Sequence, residues 1–493
     1  MPITTNLAEL AFAHWQYEEE LERQKQIVRA RAYHEGDQPT FLTERAKTFL
    51  GVDELQDEFC MNVVRGVVEA VTERMMVAGF KCTDEASALW AWATWQADRV
   101  DAKQNDVHED TVRDGESFVI VSWDDDERRL RIIPHNRYTD PEVEGTGEGC
   151  KATYANDDPN QPMLFASKRW VESLGNGQAR QRLTLYYPER IEKYFHNGSD
   201  WTPLDAETLI AEGDVIENED GTQSPIWPRP WVDDAGEPLG IPVVHFRNPK
   251  MRPEAWDAIP LQNAINKALI DLLAAGDVTA FRVFVALGFL PTTDGQAPAA
   301  DQSNWLDIEP GQTIGTTRSA QEADFKAIDG APLDPLLNLL EKLVLWLAII
   351  TRTPVSRYQF SGAVASADTL KQQIESLLAK VGLRHTLFGD AWEDVMTIAR
   401  RLQNHFGGGV DGALLDETAT FETLWKNAEK RDRLQELQGY QIEKDSLDVP
   451  LKTLWAKAGY KPDEIEQMWK QREEEQRSRL KIALTDTVDG LTQ

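Results

Sequence analysis

The chain has 493 residues, a mass of 55.8 kDa and 41% hydrophobic residues, enough for several cores in about two to four domains. Its formal net charge of -31 excludes a global electrostatic grip on a nucleic-acid backbone or on an anionic membrane. Cys60, Cys82 and Cys150 lack CxxC spacing, which argues against a disulfide framework and a zinc knuckle and fits a reducing compartment.

From Asn6 to about Ala32, Leu7, Leu10, Ala11, Trp15, Leu21 and Val28 recur at helical spacing among many charges, which predicts a surface helix. This stretch has no basic n-region and no apolar h-region, so no signal peptide is expected. "YHEGDQP" at 33–39 ends the helix with Gly and Pro. "FCMNVVRGVVEAVTERMMVAGFKC" at 59–82 sets Val63, Val67, Val71 and Met75 on one face and predicts a core helix capped by a glycine. "ESFVIVSWDDDERRLRIIPHNRYTDP" at 116–141 has two β-branched runs around an acidic turn, a hairpin signature. Further strands are expected in 182–204 and in "IPVVHFRN", with an acidic, loop-rich surface stretch at 205–238. Residues 1–250 therefore read as an α+β domain.

Beyond this point helices dominate. Trp256–Leu287 predicts a helix in which Leu261, Ile265, Leu269 and Leu272 step by three to four residues. Turns and short polar strands follow over 288–332. "DPLLNLLEKLVLWLAIITRTP" at 334–354 is a second, strongly apolar helix, whose run "LVLWLAII" is too short to span a bilayer. A polar loop at 355–366 leads into a third helix, about Ala367 to Phe406, which "GGGVDG" ends. The tail from Phe421 to Leu480 predicts amphipathic helices separated by "GYQIEKDSLDVP" and "GYKPDE", with Asp445, Ser446 and Asp463 as N-terminal caps.

Catalytic chemistry is hard to find. There is no GxxxxGK[ST], HExxH or GxSxG, and the eight histidines fall singly. Asp124, Asp125, Asp126 and Glu127 form the densest carboxylate run and offer oxygen ligands to a divalent cation, but Arg128 and Arg129 beside them favour a solvated turn. Lys452, Lys457 and Lys461 are outnumbered by nearby acids, which argues against DNA reading by the tail. Trp90, Trp92 and Trp95 read as core or subunit contacts rather than as platforms for bases.

The order of segments resembles the portal, or head–tail connector, proteins of tailed bacteriophages, particularly the portal family of long-tailed phages. "AYHEGDQ", "NVVRGVVEAVTERMMVAGF", "RDGESFVIVSWDDDERRLRIIPHNRYTDP", "GIPVVHFRNPKMRPEAWDAIPLQNAINKALIDLL", "FSGAVASADTLKQQIESLLAKV" and "EKDSLDVPLKTLWAKAGYKPDEIEQM" carry the resemblance over nearly the whole chain. Two departures stand out. Tyr33–His34 replaces the usual aromatic pair, and Glu254 comes one position later than the acidic residue commonly found where Arg252–Pro253 stands.

The resemblance implies a portal fold. An α/β wing would take 1–255, a two-helix stem 256–287 and 333–353, a small α/β clip 288–332 and a tunnel loop 354–366. A long wing helix and its return would occupy 367–419 and a helical crown 420–493. It implies a cyclic dodecamer at one capsid vertex of the virion, assembled in the host cytoplasm without a membrane, cofactor or catalytic activity. The implied partners are double-stranded DNA in the channel, the terminase packaging motor, a head-completion or neck adaptor, and the major capsid and scaffolding proteins.

On this reading the stem interface uses Leu261, Ile265, Leu269, Leu336, Leu340, Leu343 and Leu347, with the amides of Gln262, Asn263 and Asn266 bonding to neighbouring subunits. Asn248 and Pro249 would fix the exit from the last wing strand, and Pro260 suits an early helical turn. Arg352, Arg357, Gln359, Ser361 and Ser366 would lie nearest DNA, and Gln302, Trp305 and Arg318 on the clip's docking rim. Two alternatives from other classes are an acidic divalent-metal enzyme built on Asp124–Glu127 and an oligomeric scaffold or adaptor without a channel.

Overall fold

The computed structural model describes residues 18–38, 60–139, 148–175, 177–218, 222–280, 283–287, 324–328, 332–358, 367–410, 412–429, 433–460 and 462–491, with Ala8, Ala11, Phe12 and Trp15. The chain divides into two units. Met1–Asp37, Asn62–Ile259 and Ala348–Gln493 form the first, and Gln38–Met61 with Pro260–Leu347 the second.

The first unit mixes helix and sheet, as its sequence predicts. Helix α1 (Glu18–Glu35) ends where the Gly36 N–H donates to Ala32 O at 3.0 Å. It is less of a surface helix than its charges suggest. Trp15 and Ile27 are buried against Tyr138, and Glu20 is buried because Arg137 and Lys151 both pair with it. Charge alone misleads here because a paired carboxylate tolerates burial.

Helix α2 (Arg65–Thr72) carries the buried face of Val67 and Val71, and Val63 and Met75 are buried beside it. The helix expected through Cys82 is shorter than that. Val77–Cys82 is strand β1, antiparallel to a strand at Phe421–Trp425, and Gly79 sits in the ladder opposite Leu424 rather than capping a helix. The partner lies more than 300 residues away, beyond the reach of local periodicity. Helices α3 (Glu85–Ala97) and α4 (Val100–Asp114) follow, and Asp84 caps α3 by accepting from the Ser87 N–H.

The expected hairpin is present as β2 (Glu116–Asp124) and β3 (Arg129–Asn136), with Asp124 opposite Arg129. A six-stranded antiparallel sheet comes next. It contains β4 (Gly149–Tyr154), β5 (Met163–Gly175), β6 (Gln178–Tyr186), β7 (Arg190–His196) and β8 (Trp201–Pro203). The stretch 205–238 is more ordered than its acidity suggests. It holds α5 (Ala206–Ala211), the hairpin β9 (Val215–Glu217) and β10 (Gln223–Pro225), and β11 (Arg229–Pro230), which pairs with β7. β12 (Val243–Arg247) closes the small sheet as the other neighbour of β2.

Two further helices lie mostly in the second unit. α6 (Ile259–Ala280) carries Pro260 in its first turn, and α7 (Asp334–Ile350) is the second apolar helix. α6 stops short of its expected end, because Val283–Leu287 is strand β13, paired antiparallel with β14 (Asp324–Ile328). The β-branched Val283 and Val285 suit that ladder. The sequence between these strands lies outside the described residues.

The long helix α8 (Ala367–Gly407) matches its prediction and packs on β2, β12 and β15 (Phe421–Trp425). Its Trp392 is fully buried, with ring centroids 4.8 Å from both Trp95 and Phe246 in edge-on geometry. Trp90 and Trp92 are buried too.

The tail differs in detail from expectation. Phe421–Trp425 is a strand, and α9 (Arg433–Leu447) runs through most of the "GYQIEKDSLDVP" segment. Asp445 and Ser446 therefore lie inside a helix. α10 (Leu451–Lys457) has Pro450 at its N-cap, and Asp463 falls in the first turn of α11 (Pro462–Leu491). The Tyr440 hydroxyl donating to Lys457 O at 2.7 Å shows that helix pairing outweighs the glycine here.

Candidate functional site

The segment that leaves α7 gathers the sequence-predicted positions the structure describes. Leu343, Val344, Leu347 and Ala348 form the buried stripe of α7, with Leu336 and Leu340 half-buried along it. Leu339, Trp346 and Ile350 recur on another face at helical spacing, and Ile349 adjoins them. These four are 43%, 50%, 53% and 62% exposed for Leu339, Trp346, Ile350 and Ile349. α7 thus has two apolar faces, of which only one is covered among the described residues, and an uncovered apolar face of this kind is the type of surface that partners bind.

Of the expected interface residues, Ile265, Leu343 and Leu347 are buried in the chain itself, and Leu261 and Leu269 are half-buried. The amides of α6 also turn inward. Gln262 Nε2 donates to Met61 O at 2.6 Å and Asn266 Nδ2 to Gln38 Oε1 at 2.7 Å, so both serve their own unit rather than a neighbouring subunit. Buried amides seek the nearest acceptor, and here the chain supplies it.

α7 ends in a Schellman motif. The Thr353 N–H donates to Ala348 O at 2.9 Å and the Arg352 N–H to Ile349 O at 3.2 Å. Arg352 is the left-handed residue of that motif, with φ of 53°, at a cost of roughly 1–2 kcal/mol that glycine would not incur. Thr351 and Thr353 are buried, and Lys380 on α8 donates to Thr351 O.

Lys380 also pairs with Glu254 at 2.7 Å, and Arg384, one turn further along α8, pairs with the same carboxylate. Burial by itself would raise the Glu254 pKa, but Lys380 and Arg384 overcome it and hold the carboxyl below its ordinary value. Asn248 is buried at the exit of β12, where its Nδ2 donates to Arg252 O at 2.7 Å and its N–H to Gly115 O at 2.9 Å. Gly115 is required at that crossing: φ is 97°, and a Cβ would meet Met251 O at 2.6 Å.

Arg357 is engaged within its own unit. Its guanidinium reaches Glu69 at 2.9 Å and Glu73 at 2.9 Å on the α2 side, and these bonds and charges, Glu73 foremost, raise its pKa. Tyr358 donates to Val63 O at 3.3 Å, and burial pushes its phenol up to about 12. Gly66 makes room for this seat, since a Cβ there would lie 2.9 Å from the Tyr358 hydroxyl.

Gln359, Ser361 and Ser366, like Gln302, Trp305 and Arg318, lie outside the described residues. At the β2–β3 turn, Glu127 pairs with Arg129, and Asp124 lies 3.6 Å from Arg131. Among the described residues no group of three His, Cys, Asp or Glu side chains is placed to hold a metal ion, and no helix is long and apolar enough to cross a membrane.

Sequence reasoning missed Glu254, Lys380 and Arg384 as partners and Trp346 and Ile349 as exposed. One signal was available: Lys380 and Arg384 interrupt the core stripe of Leu377, Val381 and Phe388, and a cation at a core position calls for a buried carboxylate.

Residues 18–478 match the family described as "Phage portal protein, SPP1 Gp6-like". The chain belongs to this portal family. It is also 24% identical over 438 residues to a portal protein of Mycobacterium phage L5, covering 83% of this chain and 77% of that protein. A portal protein of Mycobacterium phage D29 is 24% identical over 442 residues, covering 83% and 78%. Phage portal proteins are structural components of the virion rather than enzymes, and the family points to self-association.

Proposed function

We propose that copies of this chain close into a ring around double-stranded DNA at one capsid vertex and serve its packaging, retention and ejection. The carrying observation is the exposed face of Leu339, Trp346, Ile349 and Ile350 on a helix whose other apolar face is already buried. A head-to-tail contact of this kind generates a closed ring when its rotation closes, and a dodecamer is the expected number. In this arrangement α6 and α7 are the stem, residues 288–332 the clip, 1–255 and 367–419 the wing, and 420–493 the crown.

The loop at 354–366, with Arg357, Gln359, Ser361 and Ser366, is the part nearest DNA, and Arg352 stands at its entrance. A net charge of -31 suits a channel that repels phosphates and keeps the duplex centred. Gln302, Trp305 and Arg318 belong to the docking rim for the terminase motor and later for the neck adaptor. The capsid and scaffolding proteins meet the outer surface, and the chain contributes no catalysis of its own.

Electron microscopy of the purified full-length protein tests the reading directly. Rings with a central hole are expected for the wild type, and Trp346→Lys should leave folded subunits that do not close. Wild-type particles without a hole would favour a scaffold or adaptor instead. Leu343→Asp is a poorer probe, because Leu343 lies in the chain's own core.

A further inference from the structure

Arg352 keeps a left-handed backbone, at the C-terminal end of α7, that glycine would fill without strain. The residue is exposed, and no ion pair to it occurs among the described residues. It is not alone in its charge. Burial lowers the Lys380 pKa first, Glu254 opposes that, and Arg384 and Arg352 push it down further. Arg384 is lowered in the same way by burial and by Arg352, and its Nε, buried, finds no hydrogen-bond partner among the described residues. Lys380 and Arg384 therefore share one carboxylate, Glu254, while Arg352 adds a third positive charge with no ion pair of its own among the described residues, in a chain whose formal charge is -31. Such a cluster has unspent attraction for one more anion.

We infer that Arg352 pairs with a carboxylate of a second copy of this chain, at the end of the apolar interface that α7 supplies. The inference rests on the self-assembly reading above. Ile349 and Ile350, both exposed, precede Arg352 by three and two residues, so the cation borders the apolar face directly. An arginine at the margin of an apolar patch is characteristic interface anatomy. The 83 acidic residues give a second copy ample carboxylates to offer. A DNA phosphate is the other anion available, and the test below separates the two.

Full-length wild type, Arg352→Gly, Arg352→Glu and Arg352→Lys would be compared by analytical ultracentrifugation over a salt series, alongside thermal unfolding. Arg352→Gly relieves the backbone, so its subunits should unfold at the same or a higher temperature. Its assembly should nonetheless require about tenfold more protein and lose salt sensitivity, the scale of a lost interfacial ion pair. Arg352→Glu should weaken assembly further, and Arg352→Lys should restore part of it. Assembly of Arg352→Gly indistinguishable from wild type overturns the inference. If that variant assembles normally but retains less DNA, the residue meets phosphate and the inference also falls. A wild type that forms no closed oligomer removes the self-assembly reading itself, and the inference with it.

Discussion

Lys380 and Glu254, 2.7 Å apart, join the middle of the long helix α8 to the segment between β12 and α6. Lys380 also holds Thr351 O at the end of α7, so one ammonium ties together three parts of the first unit. Arg384 lies on the same carboxylate, and all three groups are buried. Breaking such a network by removing one partner leaves uncompensated charge.

Glu254→Gln should therefore be costly, by about 3–5 kcal/mol, because two buried cations would lose the carboxylate they share. Urea unfolding of wild type and variant measures this. A loss under about 1 kcal/mol would show that water, rather than Glu254, solvates the pair.

Arg357 offers the opposite case. Its bonds to Glu69 and Glu73 are partly exposed, so a double-mutant cycle of Arg357→Ala with Glu73→Ala should give a coupling of only about 0–1 kcal/mol. The coupling should shrink further in high salt. A larger, salt-insensitive coupling would mark the contact as shielded in the assembled ring.

On the second apolar face of α7, Trp346→Lys should abolish ring closure while leaving the subunit's unfolding temperature within a few degrees of wild type. Leu347→Ala should do the reverse. It removes a fully buried side chain and should cost about 2–5 kcal/mol, with assembly impaired only as folding fails. Sedimentation and calorimetry of the two variants together distinguish the faces.

His108 makes the acid response predictable. Its Nδ1–H donates to Met75 O at 3.1 Å, its Nε2 accepts from the Trp392 indole at 2.9 Å, and burial lowers its pKa to about 3. The unfolded chain takes up this proton near the ordinary value of 6.5, while the folded chain resists. Stability associated with His108 is thus fully present above 6.5 and lost progressively as pH falls from there toward 3. One such proton contributes a slope of up to about 1.4 kcal/mol per pH unit. Equilibrium unfolding between pH 6.5 and 5 should show a shallower slope in His108→Gln, and nitrogen NMR should find the wild-type ring neutral with Nδ1 protonated.

The sequence by itself determined whatever rests on local periodicity and punctuation. The β2–β3 hairpin, α7 and the 41-residue α8 were legible because their alternation or helical repeat is long and their ends carry turn residues. The succession of segments was enough to point to the portal family. Only the tertiary structure decided the strands β1, β13 and β15, since short apolar runs become strands when a distant partner supplies the ladder.

The same holds for the candidate site. Leu343 and Trp346 stand three residues apart on one helix and both read as apolar, yet the first is buried by the chain and the second is left exposed. Arg352 and Arg357 both read as loop arginines, but α2 brings two carboxylates to Arg357 and none reaches Arg352 among the described residues. Sequence spacing records which side chains share a face of an element. Burial and pairing depend on what folding places opposite that face, often more than a hundred residues away.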